Sequence, residues 1–146
     1  TMVNGQRTQA DLQMATNDVT TTTSARWDLS GCDYAVLDVI IGARTHSTTA
    51  ACALSVLTSN DTVVSNFATV VTDQSQTPGT AIKMVRYLID TRTAKRYLRL
   101  TSTPGTVATA DAIAITAVLH KSRQAVSADA AADLAASTND TVVTVG

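Results

Sequence analysis

The sequence predicts an all-β chain, an antiparallel sandwich or barrel, and three observations predict it. Apolar residues recur at every second position in one run after another, the period of a half-buried strand. Turn signals separate these runs at intervals of about ten residues, the rhythm of sandwiches and barrels. The composition is 45% hydrophobic but only 3% aromatic, so the core must be built from Ala, Val, Leu and Ile, with Thr sharing the strand surface. β-branched residues fit a pleated strand better than a helix.

Each element follows in order. Thr1 to Ser24 is polar, holds neither period for long and ends in the tract Thr20 to Thr23. It reads as an extended N-terminal arm, residues 1–24, ordered by whatever binds it. The sandwich domain spans residues 25–121. Trp27 and Leu29 alternate, Gly31 allows a bend, and Asp33 to Ile41 makes the best strand, with Ala35, Leu37, Val39 and Ile41 on one face. Cys52, Leu54 and Val56 alternate in the next, which stops at the polar turn Ser59 to Asp61. Val63 to Val71, with Phe67, reads as a further strand or two short ones, followed by a loop from Asp73 to Gly79.

Two Thr-Pro-Gly-Thr quartets, Thr77 to Thr80 and Thr103 to Thr106, contain the chain's two prolines. Pro sets φ at the first corner and Gly supplies the positive φ of the second, so both read as type II turns. Between them, Val85, Tyr87 and Ile89 share one strand face. Asp90 to Ala94 is of hairpin length, so Lys95 to Thr101 is expected to pair directly with the preceding strand. Leu98 and Leu100 point one way there, Tyr97 and Arg99 the other. Ile113, Ile115, Ala117 and Leu119 form the last clean alternation.

The tail, residues 122–146, changes character. Ser127 is placed to cap a short Ala-rich helix through Ala136, with Asp129 in its first turn. Asn139 to Val143 repeats the pentapeptide of Asn60 to Val64, and Val142, Val143 and Val145 read as a terminal strand, on this domain's edge or on another subunit's.

Charge narrows the partners. All twelve acidic residues are Asp, and the net charge is −1. From Lys83 to Arg123 eight bases face two acids, while the rest of the chain holds three bases and ten acids. Such asymmetry suits an anionic partner or subunits meeting through opposite potentials. Few aromatics and no basic excess argue against nucleic acid, and no apolar run approaches the length of a membrane span. Cys32 and Cys52 read as buried free thiols, with one disulfide as the alternative.

Catalytic chemistry finds no inventory. His46 and His120 have no His, Cys or carboxylate at metal spacing and read as solvated residues, so no metal or cofactor is expected. Asp90-Thr91 matches only the start of an aspartic-protease loop, because Arg92 stands where the tight turn needs Gly. Neither a phosphate loop nor a nucleophile elbow occurs. The group singled out is Lys95, Arg96, Tyr97 and Arg99, a flat aromatic plate flanked by cations, which as an interface would receive an acidic neighbour and otherwise is an exposed sheet face.

Two segments carry a resemblance. Asp28-Leu29-Ser30-Gly31, followed by Tyr34 to Val39 and Gly42-Ala43, and then Ala94 to Leu100 with Ala110 to Leu119, resemble small virion proteins of tailed bacteriophages, over about Arg26 to Lys121. The resemblance implies an antiparallel β-sandwich of jelly-roll-like form that acts as a capsid decoration (cement) protein. Such a protein is a non-enzymatic homotrimer, made in the host cytoplasm, that sits on the outer capsid surface and bridges neighbouring subunits of the major capsid protein. It assigns no functional side chains. The arm, and Val142, Val143 and Val145 by strand addition, are the expected clamp. The alternative is a carbohydrate- or receptor-binding module of a phage fibre, with Trp27 and Tyr97 as its aromatic platforms.

Overall fold

The alternating runs form strands whose apolar faces meet across one interior. The computed structural model of the chain describes residues 7–16, 22–24, 26–43, 51–77, 80–104, 113–122 and 140–145. Their strands are β1 (Arg7–Thr16), β2 (Thr22–Thr23), β3 (Trp27–Asp28), β4 (Tyr34–Ile41), β5 (Cys52–Ser59), β6 (Ala68–Gln76), β7 (Lys83–Asp90), β8 (Tyr97–Pro104), β9 (Ile113–Ser122) and β10 (Asp140–Val145). One sheet runs β1-β9-β4-β7-β10 and the other β2-β8-β5-β6, with β3 also on β8. Every pairing is antiparallel except that of β10 with β7, which is parallel.

The core comes from the predicted faces. Ala35, Leu37, Val39 and Ile41 of β4, Val85, Tyr87 and Ile89 of β7, and Ile115, Ala117 and Leu119 of β9 are buried. They meet Cys52, Leu54 and Val56 of β5 and Leu98 and Leu100 of β8, and Trp27 and Leu29 close one end. Each large side chain taken fully from water contributes roughly 1.5–3 kcal/mol, so this interior is the dominant stabilising term. Burial pushes the Tyr87 phenol up in pKa. Cys32 and Cys52 form no disulfide; Cys52 is buried as expected, whereas Cys32 is only half-buried.

Three expectations are corrected or refined. The strand after Asp90 does not return as a hairpin: β8 lies in the other sheet, paired with β5 over Cys52↔Pro104 to Ser59↔Tyr97. The Thr91 N–H donates to the Asp33 carbonyl at 3.0 Å, holding the end of β7 to β4, and the Ala94 N–H donates to the Asp90 carbonyl. This single turn carries the chain across the core, where the Leu29 N–H donates to the Arg96 carbonyl at 2.8 Å. Two strands with apolar faces of equal strength bury both either side by side or opposed, and here they are opposed.

The expected strand from Val63 starts later. Asp61 accepts the Val63 N–H at 2.9 Å and the Asn66 side-chain amide at 2.7 Å, and this turn winds Val64–Asn66 into a 3-10 helix before β6 begins at Ala68. β6 then continues to Gln76, through the start of the expected loop.

Within the segment expected as an arm, Arg7–Thr16 pairs with β9 and Thr22–Thr23 pairs with β8. A bulge between Asp11 and Met14 inserts one residue into β1, so an alternation read along the segment changes parity midway. Pro104 ends β8. The rest of both Pro-Gly corners, His46, and the expected helix from Ser127 to Ala136 lie outside the described residues.

Candidate interaction surface

At one end of the second sheet, cations and aromatic rings are packed into a single outward patch. β3 pairs with β8 through Trp27↔Leu98 and Asp28↔Tyr97, which brings Arg26 beside Tyr97. Trp27 is buried while its neighbours face out, because successive strand residues alternate. The Arg26 guanidinium lies 5.5 Å from the Tyr97 ring centroid and that of Arg96 lies 5.0 Å from it. Two residues further along β8, Arg99 sits 5.0 Å from the centroid of Phe67.

Asp28 holds the patch in shape. Its carboxylate accepts from Arg96 Nε at 3.2 Å and Nη2 at 3.0 Å, and from the Ser30 N–H at 2.9 Å. The paired guanidinium holds the Asp28 carboxyl well below the usual carboxylate range, and Arg96 is raised in turn. Gly31 completes this turn at φ 79, a left-handed conformation that costs Gly little and a side-chain-bearing residue more. The same contact joins the two sequence segments that carry the phage resemblance.

A neighbouring loop supplies apolar surface. Arg26 Nη1 donates to the Thr62 carbonyl at 3.4 Å, tying the patch to the Ser59–Asn66 turn. Val63 and Val64 on that turn are 53% and 64% exposed. The Asp61 carboxyl that organises the turn lies below its ordinary pKa, chiefly through the hydrogen bond from Asn66. An arginine stacked on a ring loses less freedom on docking than a free one, and exposed apolar residues beside it add desolvation energy. The grouping is fitted to non-covalent recognition.

The predicted plate is therefore present in altered form. Tyr97 is flanked by Arg26 and Arg96, whereas Lys95 lies in the exposed connection before β8 and Arg99 turns to Phe67. Arg26, Asp28 and Phe67 were missed as partners. An Asp-Leu-Ser-Gly turn whose carboxylate needs a cation was the available signal. The valines lie elsewhere: Val145 is buried, Val143 packs against the core, and Val142 stands opposite Arg86 in the β10–β7 register. Trp27, at 1% exposure, is a core residue and offers no platform to a sugar.

A second polar grouping lies on the outer face of the first sheet. Arg86 donates to Asp38 through Nε at 2.6 Å and Nη2 at 2.9 Å, and His120 Nε2 lies 3.6 Å from the same carboxylate. His120, expected as an isolated solvated residue, thus has a carboxylate neighbour across strands. Asp38 between Leu37 and Val39 was the clue. Among the described residues no group of three or more His, Cys or Asp side chains is placed to hold a metal.

No protein-family model matches the chain, and no curated protein matches it. Among solved structures, it is similar to that of the infectious bursal disease virus Gx strain, at TM-score 0.49 and 11% identity over 79% of this chain and 31% of that chain. It is also similar to the VP2 subviral particle of infectious bursal disease virus, at TM-score 0.49 and 12% identity over 80% of this chain and 32% of that chain. The chain spans about a third of the length of these structures.

Proposed function

We propose that this protein is a structural component of a phage virion that decorates the outer surface of an icosahedral capsid and strengthens it by bridging neighbouring major capsid subunits. The observation that carries the reading is the patch of Arg26, Arg96, Arg99, Tyr97 and Phe67 beside exposed Val63 and Val64. Arginine and aromatic residues next to apolar surface are the composition of interface hot spots. The sequence resemblance to phage virion proteins supports the same reading, because its two segments are the ones that Asp28 and Arg96 bind together.

Bridging of this kind works by contact area and by number. A subunit seated across a seam adds its own interface to the contacts that must break before the seam opens, and an interface of about 1,600 Å² suffices for specific attachment. Repetition over a shell and a homotrimeric arrangement raise effective concentration. The role needs neither a reactive group nor a cofactor. An acidic surface on the capsid protein is the complement that the guanidinium groups call for.

Capsid shells of the parent virus, mixed with the purified protein and imaged in vitreous ice, test it directly. Density over the seams between capsid subunits is expected. Replacing both Arg26 and Tyr97 by Ala should lower occupancy at least about tenfold while the isolated domain stays folded by circular dichroism. Shells that remain bare, or a double variant that decorates as fully as the parent chain, would overturn the reading.

A further inference from the structure

Two guanidinium groups of the Tyr97 patch have no carboxylate of their own among the described residues. Asp28 is taken by Arg96, and Asp61 is taken by the Val63 N–H and Asn66 of its own turn. Arg26 is exposed over the Tyr97 ring and makes one long bond, from Nη1 to the Thr62 carbonyl at 3.4 Å. Arg99 rests on the Phe67 ring, and its Nε is buried with no acceptor among the described residues. A guanidinium presents its N–H donors as a rigid fork that matches a carboxylate. Arg26 and Arg99 are forks whose carboxylates must come from elsewhere.

The strand beneath them sets their order. Tyr97 and Arg99 face outward from β8 while Leu98 between them is buried. Arg26 joins at Tyr97, and Arg99 follows one two-residue repeat on, about 7 Å along the strand. Leu57 of β5 faces out opposite Arg99, and exposed Val63 and Val64 add apolar surface nearby. With Lys95 near enough to act on Asp61, the cations Arg26, Lys95, Arg96 and Arg99 outnumber the carboxylates Asp28 and Asp61. The field over the patch therefore draws an acidic chain.

An extended chain has the repeat of the surface it would meet. Its side chains at i and i+2 leave one face about 7 Å apart, so acidic residues at those two positions reach Arg26 and Arg99 in turn. On a helix, positions two apart point to different sides. β3 and β5 flank β8 on opposite sides, so the Arg26 side chain, bonded to Thr62 beyond β5, crosses the end of β8. A helix, about 10–12 Å wide with its side chains, would collide with it, whereas a single extended chain runs alongside.

We propose that the partner meets this patch with an extended acidic segment laid along β8, in which carboxylates two residues apart pair with Arg26 and Arg99. The inference rests on the capsid reading for the identity of the partner, and adds the form of its contact: Asp-x-Asp or Glu-x-Glu in strand conformation. The stacked rings hold both guanidinium groups in place before docking, so little side-chain freedom remains to be lost.

Two end-capped peptides of one composition test it, titrated into the nitrogen-15-labelled full chain and followed by nuclear magnetic resonance. In Gly-Asp-Thr-Asp-Thr-Gly the carboxylates share a face when the chain is extended, and in Gly-Asp-Asp-Thr-Thr-Gly they do not. The first should shift the amide signals of Arg26 and β8 saturably and bind at least about tenfold more tightly than the second. The double variant Arg26→Gln with Arg99→Gln, folded by circular dichroism, should lose that preference. Equal affinity of the two peptides for the parent chain, no saturable shift up to about 20 mM, or a preference undiminished in the double variant would overturn the proposal. Decorated shells with unselective peptides would sink this contact alone, and selective peptides with bare shells would uphold it while sinking the capsid assignment.

Discussion

The outer faces of the two sheets differ although their inner faces are alike. On the second sheet Thr101, Thr103, Ser55, Thr69 and Ser75 turn outward, and the aromatic and cationic residues gather at one end. On the first, Val36, Ile40, Met84, Leu88 and Val118 surround the Asp38–Arg86 pair, with His120 beside it. A Thr and Ser surface keeps β propensity while remaining wet, so the second sheet is soluble as it stands and presents a localised patch. An apolar surface calls for cover. The inner faces build the fold, and the outer faces differ in what they expose.

The largest expected effect tests the likeness of the interiors. Leu37→Ala in the first sheet and Leu100→Ala in the second should each cost about 3 kcal/mol in urea unfolding, since both side chains are fully buried and each truncation leaves a cavity. A loss below about 1 kcal/mol at either site would show that one sheet contributes little to a shared core.

Ion pairs sharpen the contrast outside. Asp38 and Arg86 are 14% and 23% exposed at the side chain, so Asp38→Ala removes a bidentate acceptor from a largely covered guanidinium and should cost about 2 kcal/mol. Asp28→Ala removes the water-exposed pair on the other sheet and should cost less, at most about 1 kcal/mol. It should nonetheless weaken capsid attachment, because Arg96 loses its anchor beside Tyr97. Equal stability losses at the two sites would erase the distinction between the faces.

The smallest effect is in pH. Asp28, Asp61 and Asp90 all lie below their ordinary pKa values, through Arg96, Asn66 and Arg92 respectively. A depressed carboxyl lends stability that is complete above its unfolded value near pH 4 and is lost as pH falls through the folded value. The urea midpoint should therefore be flat above about pH 5 and decline below about pH 4. Arg96→Ala should make that decline shallower. An unchanged slope would remove Asp28 from the acid response.

Sequence alone determined the inward residues of the central strands, though not β1 and β2 within the expected arm or the bounds of β6. Ala35 to Ile41, Val85 to Ile89, Leu98 with Leu100, and Ile115 to Leu119 are all read correctly from a period of two, because a strand with one wet face leaves that period in its composition. Tyr97 was legible as an outward residue for the same reason, with Lys95 and Arg99 expected on its face, whereas the Arg96 contact with its ring comes from the turn before β8. Tertiary structure decided which strands neighbour one another: the segment after Asp90 crosses to the opposite sheet, since alternation names the buried face and not the strand beside it. It also decided the companions of Tyr97 and Asp38, because Arg26 with Arg96, and Arg86 with His120, are brought together only by registers between strands distant in sequence.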